Sequence, residues 1–203
     1  MANATVLNYR RSPAADLAAA MTNGSSGAVT LKEIPFQTQI GLRAELGSDA
    51  AQALEQTLGA ALPDAVGKIA DVTQPVTGQL LWLGPDEFLL VAGDEAEREL
   101  SSADLAAQLA EVIGTNRGQA VELTANRTVL ELSGPAAVDV LSKVVDVDVH
   151  PSVFGVNTAI LTLLSGSGIV LWRNGEESWR IMPRASFTPH TVNWLLDAMR
   201  EYV

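Results

Sequence analysis

Residues 121–151 read VELTANRTVLELSGPAAVDVLSKVVDVDVHP, and this stretch decides the fold because strand, turn, helix and a second extended run can each be assigned from local chemistry. Thr128 to Leu132 alternates and ends in aliphatic residues, the pattern of a strand with one buried face. Ser133-Gly134-Pro135 stops it and starts a helix: Ser or Gly suits the cap, and Pro fits a first turn whose backbone donors have no helical partner. Val138, Leu141 and Val145 follow at helical spacing. At the head of the strand stand two polar residues, Asn126-Arg127. They read either as a turn Asn beside a surface Arg, or as a site that recognises an anion or pairs with an acidic group of another chain.

Working outward, the C-terminal side continues with Ile169 to Trp172, an acidic turn Asn174-Gly175-Glu176-Glu177, and Trp179 to Met182, a β-hairpin. Thr188 caps and Pro189 opens a last helix carrying Val192, Leu195, Leu196 and Met199. The N-terminal side shows the same order. Ile40 to Leu46 alternates, Ser48-Asp49 caps a helix with Leu54, Leu58 and Leu62 that Pro63 ends, and Val66 to Val72 is a weak strand. Gln79 to Leu83 and Phe88 to Val91 flank Gly84-Pro85-Asp86-Glu87, a second hairpin with an acidic tip. Ser101 and Asp104 form a capping-box pattern before Leu105, Leu109, Val112 and Ile113, with Gly114 as the stop. Trp82 and Trp172 lie 90 residues apart in matching hairpins, so the sequence reads as an internal duplication.

The expected class is therefore α+β, with two related lobes of split β-α-β type. The boundaries expected are an N-terminal arm over 1–28, a first lobe over 29–118 and a second over 119–203, with Gly114 to Gln119 as the junction. Within the arm, Asn23-Gly24-Ser25-Ser26-Gly27 is a flexible loop by composition. Arg11-Ser12-Pro13 is either a docking peptide or part of a frayed tail with a short Ala-rich helix.

Composition bounds the function. The 203 residues are 47% hydrophobic and 18% charged, enough for a substantial core. A net charge of −11 argues against the cationic surface that nucleic-acid binding needs. The charge is uneven: residues 1–118 carry 7 Lys/Arg against 15 Asp/Glu, and 119–203 carry 6 against 9, which makes the second half the better candidate for contacts. There is no cysteine, so disulfides, thiolate metal sites and Cys nucleophiles are excluded. Arg10-Arg11 before an Ala-rich run does not make an export signal, since Asp16 interrupts a run already too short. No run approaches the ~20 apolar residues of a membrane span, and a cytoplasmic protein is expected.

The chemical candidates are few. Asp146, Asp148 and His150 alternate with valines and would share one strand face, but side chains along a strand spread by about 6 to 7 Å per step, poor for one metal. With two histidines and no Gly-x-Ser-x-Gly elbow, a nucleophile triad has little material. Gly166-Ser167-Gly168 reads as a hairpin turn rather than a phosphate cradle. Trp82, Trp172, Trp179 and Trp194 read as core or interface anchors. Arg173, Arg180 and Arg184 cluster about the second hairpin and, with Arg127, suit pairing with acidic groups of another chain.

Arg11-Ser12-Pro13, Asn126-Arg127-Thr128 followed by Leu130-Glu131-Leu132-Ser133-Gly134-Pro135, His150-Pro151 with Phe154, Leu171-Trp172, Trp179-Arg180, Arg184-x-Ser186-Phe187 and Trp194-Leu195 together resemble the gamma subunits of heterotetrameric sarcosine oxidases. The resemblance covers most of the chain and is densest from residue 121. It implies a complex of alpha, beta, gamma and delta subunits that oxidises sarcosine to glycine, giving hydrogen peroxide and 5,10-methylenetetrahydrofolate. It implies FAD, FMN, NAD and tetrahydrofolate on the large subunits, zinc on the delta subunit, and a fold similar to the folate-binding aminomethyltransferases, or glycine-cleavage T proteins. A gamma chain of this kind carries no catalytic, cofactor-binding or metal-ligating residue and contacts chiefly the alpha subunit. The partner-interface candidates are then Arg11, Asn126, Arg127, His150, Trp172, Arg173, Arg180 and Arg184. The alternative is a self-standing folate-binding or one-carbon-transfer protein, which would require Glu122, Asp139 or Asp148 over the folate.

Overall fold

Alternating apolar residues in short β-branched runs, separated by helices with a single apolar stripe, leave each sheet one face to cover with helices. The computed structural model describes Leu7 and residues 9–203. In chain order the elements are α1 (Ala18–Asn23), β1 (Thr30–Glu33), β2 (Gln37–Ala44), α2 (Asp49–Leu58), β3 (Ile69–Val72), β4 (Gly78–Gly84), β5 (Glu87–Asp94), α3 (Ser102–Ile113), β6 (Gly118–Glu122), β7 (Leu130–Ser133), α4 (Ala137–Ser142), β8 (Thr158–Leu164), β9 (Ser167–Gly175), β10 (Ser178–Pro183) and α5 (Thr188–Met199). They form two antiparallel five-stranded sheets with helices, a mixed α+β class. No helix among the described residues is long and apolar enough to cross a membrane.

The first unit comprises residues up to Arg10 and Phe36–Ala125. Its sheet runs β3-β4-β5-β2-β6. Ile40, Leu42, Leu80, Phe88 and Leu90 meet Leu54, Leu58, Leu105 and Leu109 of α2 and α3 in one core. Both helix starts follow from the sequence: Ser48 Oγ accepts from the Ala51 N–H, and Ser101 Oγ accepts from the Asp104 N–H while bonding its carboxylate. Helix α2 ends at Gly59 rather than at Pro63, because Gly59 takes the left-handed conformation (φ 63°) that closes a helix without a Cβ penalty.

A paired charge joins the start of this unit to the end of β5. Arg10 donates from Nη1 and Nη2 to the two Asp94 oxygens at 2.8 and 2.9 Å, and its guanidinium lies 4.2 Å from the centroid of the Phe36 ring. Burial pushes the Asp94 carboxyl up, but the Arg10 donors and the Ala96 N–H outweigh it and hold the group below its usual range. A carboxylate depressed by folding adds stability that is complete above its unfolded pKa of about 3.9 and disappears as pH falls through the folded value. Asp94→Asn is therefore expected to lower stability by about 1–2 kcal/mol at pH 7. The difference from wild type should shrink on acidification below about pH 4; urea denaturation at pH 7 and pH 3 measures both, and an undiminished difference at pH 3 would contradict the account.

The second unit comprises Arg11–Pro35 and Asn126–Val203. Its sheet runs β8-β9-β10-β7-β1. The two sheets have the same strand order, with β7, β8, β9 and β10 standing where β2, β3, β4 and β5 stand in the first, and α4 and α5 corresponding to α2 and α3. The fifth place is filled differently. In the first unit it is β6, which follows the second helix; in the second it is β1, from the N-terminal side.

That exchange corrects the expected boundaries. Residues 14–28 are not a loose arm: Ala14, Met21 and Val29 are buried in the second unit's core, Ala14 N–H and Ser12 Oγ bond the Glu33 carboxylate, and Ser26 Oγ donates to the Tyr202 carbonyl at 2.6 Å. Strand β1 belongs to the second unit and β6 to the first, so residues 118 and 119 lie in a strand rather than a junction. Both were missed because an edge strand, half of whose backbone groups face outward, needs little apolar alternation.

Three local expectations also change. Ser133 is the last residue of β7 and bonds the Thr30 hydroxyl at 2.8 Å instead of capping α4. Gly134 makes the turn at φ 122°, where a Cβ would fall 2.5 Å from the Ala28 carbonyl oxygen. Helix α4 closes at Ser142, so Val145 lies beyond it and makes an isolated bridge to Leu164. Thr188 does not cap α5 but occupies its first turn, with its hydroxyl 2.5 Å from that of Thr128.

Candidate functional site

The register of the second sheet sorts its side chains into two faces, since alternate residues of a strand point oppositely. Leu130, Ile181 and Leu171 pair across the helix-covered face, as do Leu132 and Trp179, next to Arg173. The other face carries the rows Glu131–Arg180–Trp172–Ala159 and Met182–Val170–Leu161. One rung further, Arg127 stands opposite Arg184 in an antiparallel bridge, and Gly168 stands opposite Leu163.

This last rung opens into a groove of about 520 Å³ lined by Arg127, Leu161, Thr162, Leu163, Gly168, Arg184 and Phe187. Its floor is low because Gly168 has no side chain, and a Cβ there would meet nothing within 4 Å. Its apolar wall is unusually open: Leu161, Leu163 and Phe187 are 48%, 44% and 49% exposed. Its polar wall is held by the backbone, since Thr128 N–H donates to the Pro183 carbonyl and Ala185 N–H to that of Asn126. Arg127 donates to the Met182 carbonyl at 3.1 Å and Arg184 to Asn126 Oδ1 at 2.5 Å. No carboxylate is among the lining residues.

The structure thus brings together Asn126, Arg127 and Arg184 of the eight interface candidates. Arg180 lies nearby on the same face, its guanidinium 4.7 Å from the Trp172 ring centroid. Burial lowers its pKa, partly offset by Glu131, a residue that itself pairs with Lys32 at 2.9 Å. Trp172 and Arg173 are each only 3% exposed, so neither presents a surface to another chain. Arg173 instead donates to the carbonyls of Phe154 and Glu176, each at 2.7 Å. Arg11 is exposed beside Asp16, apart from the groove's lining. The signal missed in the sequence was Leu161, Leu163 and Phe187: apolar residues read as core until their exposure is known.

His150 and its neighbours do not form the expected strand. Asp148 Oδ1 accepts from the His150 N–H and His150 Nδ1 lies 2.7 Å from Ser152 Oγ, a chain of turns on the surface. No group of three His, Cys, Asp or Glu among the described residues is placed to hold a metal. Of the carboxylates the folate alternative requires, Glu122 is taken by the Thr124 N–H, Asp148 by the His150 N–H, and Asp139 sits exposed in the first turn of α4. Glu122 belongs to the first unit, the other two to the second.

Two α+β units with matching sheet order define the fold class. A similar arrangement occurs in the glycine cleavage system aminomethyltransferase T from Bartonella henselae, at a TM-score of 0.61 and 20% identity, over 87% of this chain and 48% of that one; at that identity the likeness concerns the fold alone. The model of the sarcosine oxidase, gamma subunit family matches residues 44–201. The sarcosine oxidase subunit gamma of Corynebacterium sp. (strain P-1) is 52% identical over 196 residues, 96% of this chain and 92% of that one. A solved chain of the heterotetrameric sarcosine oxidase from Corynebacterium sp. U-96 superposes with a TM-score of 0.85 at 51% identity, over 95% of this chain and 96% of that one. The chain belongs to the sarcosine oxidase gamma subunit family.

Proposed function

We propose that this chain is a non-catalytic assembly subunit of a heterotetrameric sarcosine oxidase, in direct contact with the alpha subunit. In that role it holds no cofactor: FAD, FMN, NAD, tetrahydrofolate and zinc reside on the other subunits, and the demethylation of sarcosine to glycine, with hydrogen peroxide and 5,10-methylenetetrahydrofolate as products, belongs to the complex in the cytoplasm. The observation that carries the reading is the full-length likeness to a chain of a solved heterotetramer. The groove supports it, because exposed leucine and phenylalanine beside arginine is the composition of an interface centre rather than of a solvated face.

Co-expression with and without alpha, beta and delta subunits tests this reading. The expected result is a large flavin-containing assembly that includes this chain and oxidises sarcosine, and poor recovery of the chain alone. The alternative is a self-standing folate-binding or one-carbon-transfer protein. A stable monomer that binds tetrahydrofolate unaided, and fails to enter the assembly, would replace the first reading with the second.

A further inference from the structure

The outermost strand of a sheet presents a row of backbone donors and acceptors, and folded chains guard such edges with charges, proline, bulges or short length. Four strands end the two sheets: β3 and β6 in the first unit, β1 and β8 in the second. Three of them are guarded. Strands β1, β3 and β6 are four, four and five residues long and carry exposed Lys32, Asp71 and Glu122. Strand β8 has no such guard: its seven residues include no charge and no proline, and they pair with β9 without a bulge. Another segment meets only the far end of this edge. Val145 bridges Leu164, Asp146 N–H donates to the Leu163 carbonyl at 3.2 Å, and Ser165 N–H donates to that of Val144 at 2.8 Å. The Leu163 carbonyl therefore points away from β9, and alternation turns the N–H and C=O groups of Leu161 and Ala159 the same way. Among the described residues, no backbone bond outside the ladder reaches those four groups. Beside them Leu161 and Leu163 are exposed, on the side of the groove that Gly168 also lines.

We infer that β8 is extended by an added strand from another subunit of the complex, an extended segment whose backbone bonds Ala159 and Leu161 and whose side chain opposite Leu161 is large and apolar. Cross-strand partners share a face, so that side chain covers Leu161 and its diagonal neighbour Leu163. In strand addition of this kind the main-chain bonds give affinity and the side chains give the choice of partner. The inference rests on the assembly role proposed above and adds where, and by what chemistry, the chain is held. A second copy is a poorer occupant. The Val144–Asp146 segment fills the place opposite Leu163, so the longest antiparallel pairing open to another β8 sets Ala159 of one copy beside Leu161 of the other. That leaves the leucines uncovered, and two chains of net charge −11 repel.

Three substitutions at Leu161 test it. Leu161→Pro removes the outward N–H without deleting a ladder bond to β9, as an edge strand tolerates. Leu161→Lys places a guarding charge on the edge. Leu161→Ala trims the side chain and keeps the N–H. Val66→Lys, at an exposed position of the first unit, controls for the added charge. Each full-length variant is co-expressed with tagged partner subunits; the amount of this chain co-purified and the thermal midpoint of the isolated chain are measured. Amide hydrogen exchange over residues 158–164 is compared between the isolated wild-type chain and the assembly. The expected result is a loss of co-purification of about tenfold or more for Leu161→Pro and Leu161→Lys and of about threefold or less for Leu161→Ala. Val66→Lys should recover as wild type, and Leu161→Lys should leave the thermal midpoint unchanged. Exchange of the Ala159 and Leu161 amides should slow by about tenfold or more on assembly. Should Leu161→Pro unfold, Leu161→Lys and the exchange measurement still decide. Unslowed exchange, or wild-type recovery of the Pro and Lys variants, overturns the inference and leaves the subunit role intact. An equal loss for Leu161→Ala and Leu161→Pro makes the contact one of side chains alone and overturns it too. Failure of the wild-type chain itself to co-purify overturns both. An isolated chain that is a dimer, and that Leu161→Lys makes monomeric, assigns the edge to a second copy and overturns the inference.

Discussion

Trp179→Ala is expected to remove about 3–5 kcal/mol of stability, the range for a fully enclosed aromatic. Trp179 is completely buried, packs against Phe154 with ring centroids 5.0 Å apart, and pairs across β7 and β9 with Leu132 and Arg173. Its indole N–H has no hydrogen-bond partner among the described residues, so the loss is one of packing and cavity formation rather than of a polar bond. Against a total domain stability of roughly 5–15 kcal/mol, such a loss leaves the second unit marginal. Urea denaturation followed by near-ultraviolet circular dichroism measures it. A loss below about 1 kcal/mol would mean that the site collapses around the missing ring and that Trp179 is not the centre of the core.

The second large effect is expected at Arg173. Arg173→Met keeps the stem but deletes two charge-assisted bonds to main-chain carbonyls, leaving the Phe154 and Glu176 oxygens unanswered; the loss is about 3 kcal/mol. The guanidinium also lies 5.5 Å from the Trp179 ring centroid, so the two substitutions should couple in a double-mutant cycle. Arg184→Glu, on the exposed rim, should by contrast change the stability of the isolated chain by only about 0.5 kcal/mol or less. Arginines that look alike in the sequence are thus separated by experiment: one holds the chain together, the other adds little to its stability. Equal stability losses in the two variants would erase that distinction.

Most of the helices and both hairpins were legible from residues alone, because their signals are local. Ser48 and Ser101 cap where Ser is followed by a helical apolar stripe, and Trp82 with Phe88, like Trp172 with Trp179, mark strands on either side of an acidic turn. Asn126 and Arg127 were also legible as polar residues where apolar ones would have been the plain choice, and Arg184 as one of the arginines clustered about the second hairpin. Arg173 was read as an interface residue because residue type, without register, does not tell that it lies on the helix-covered face of β9; Trp172, read as a core or interface anchor, lies on the opposite face, with the Arg180 guanidinium 4.7 Å from its ring centroid. Asp146 to His150 was read as a strand because alternation holds there, yet only Val145 finds a bridging partner.

By itself, then, the sequence determined the class of each segment, the repeated order of elements and a net negative charge that is weaker in the second half. Those properties depend on neighbours a few residues away: caps, turns and apolar period. Only the tertiary structure decided that β1 completes the second sheet and β6 the first, and that Arg127, Arg184, Gly168 and Leu163 share one rung. Such pairings join residues as far apart as Thr30 and Ser133, and they are selected by which edge remains open and which face remains uncovered once the sheets have formed, information no short window of sequence contains.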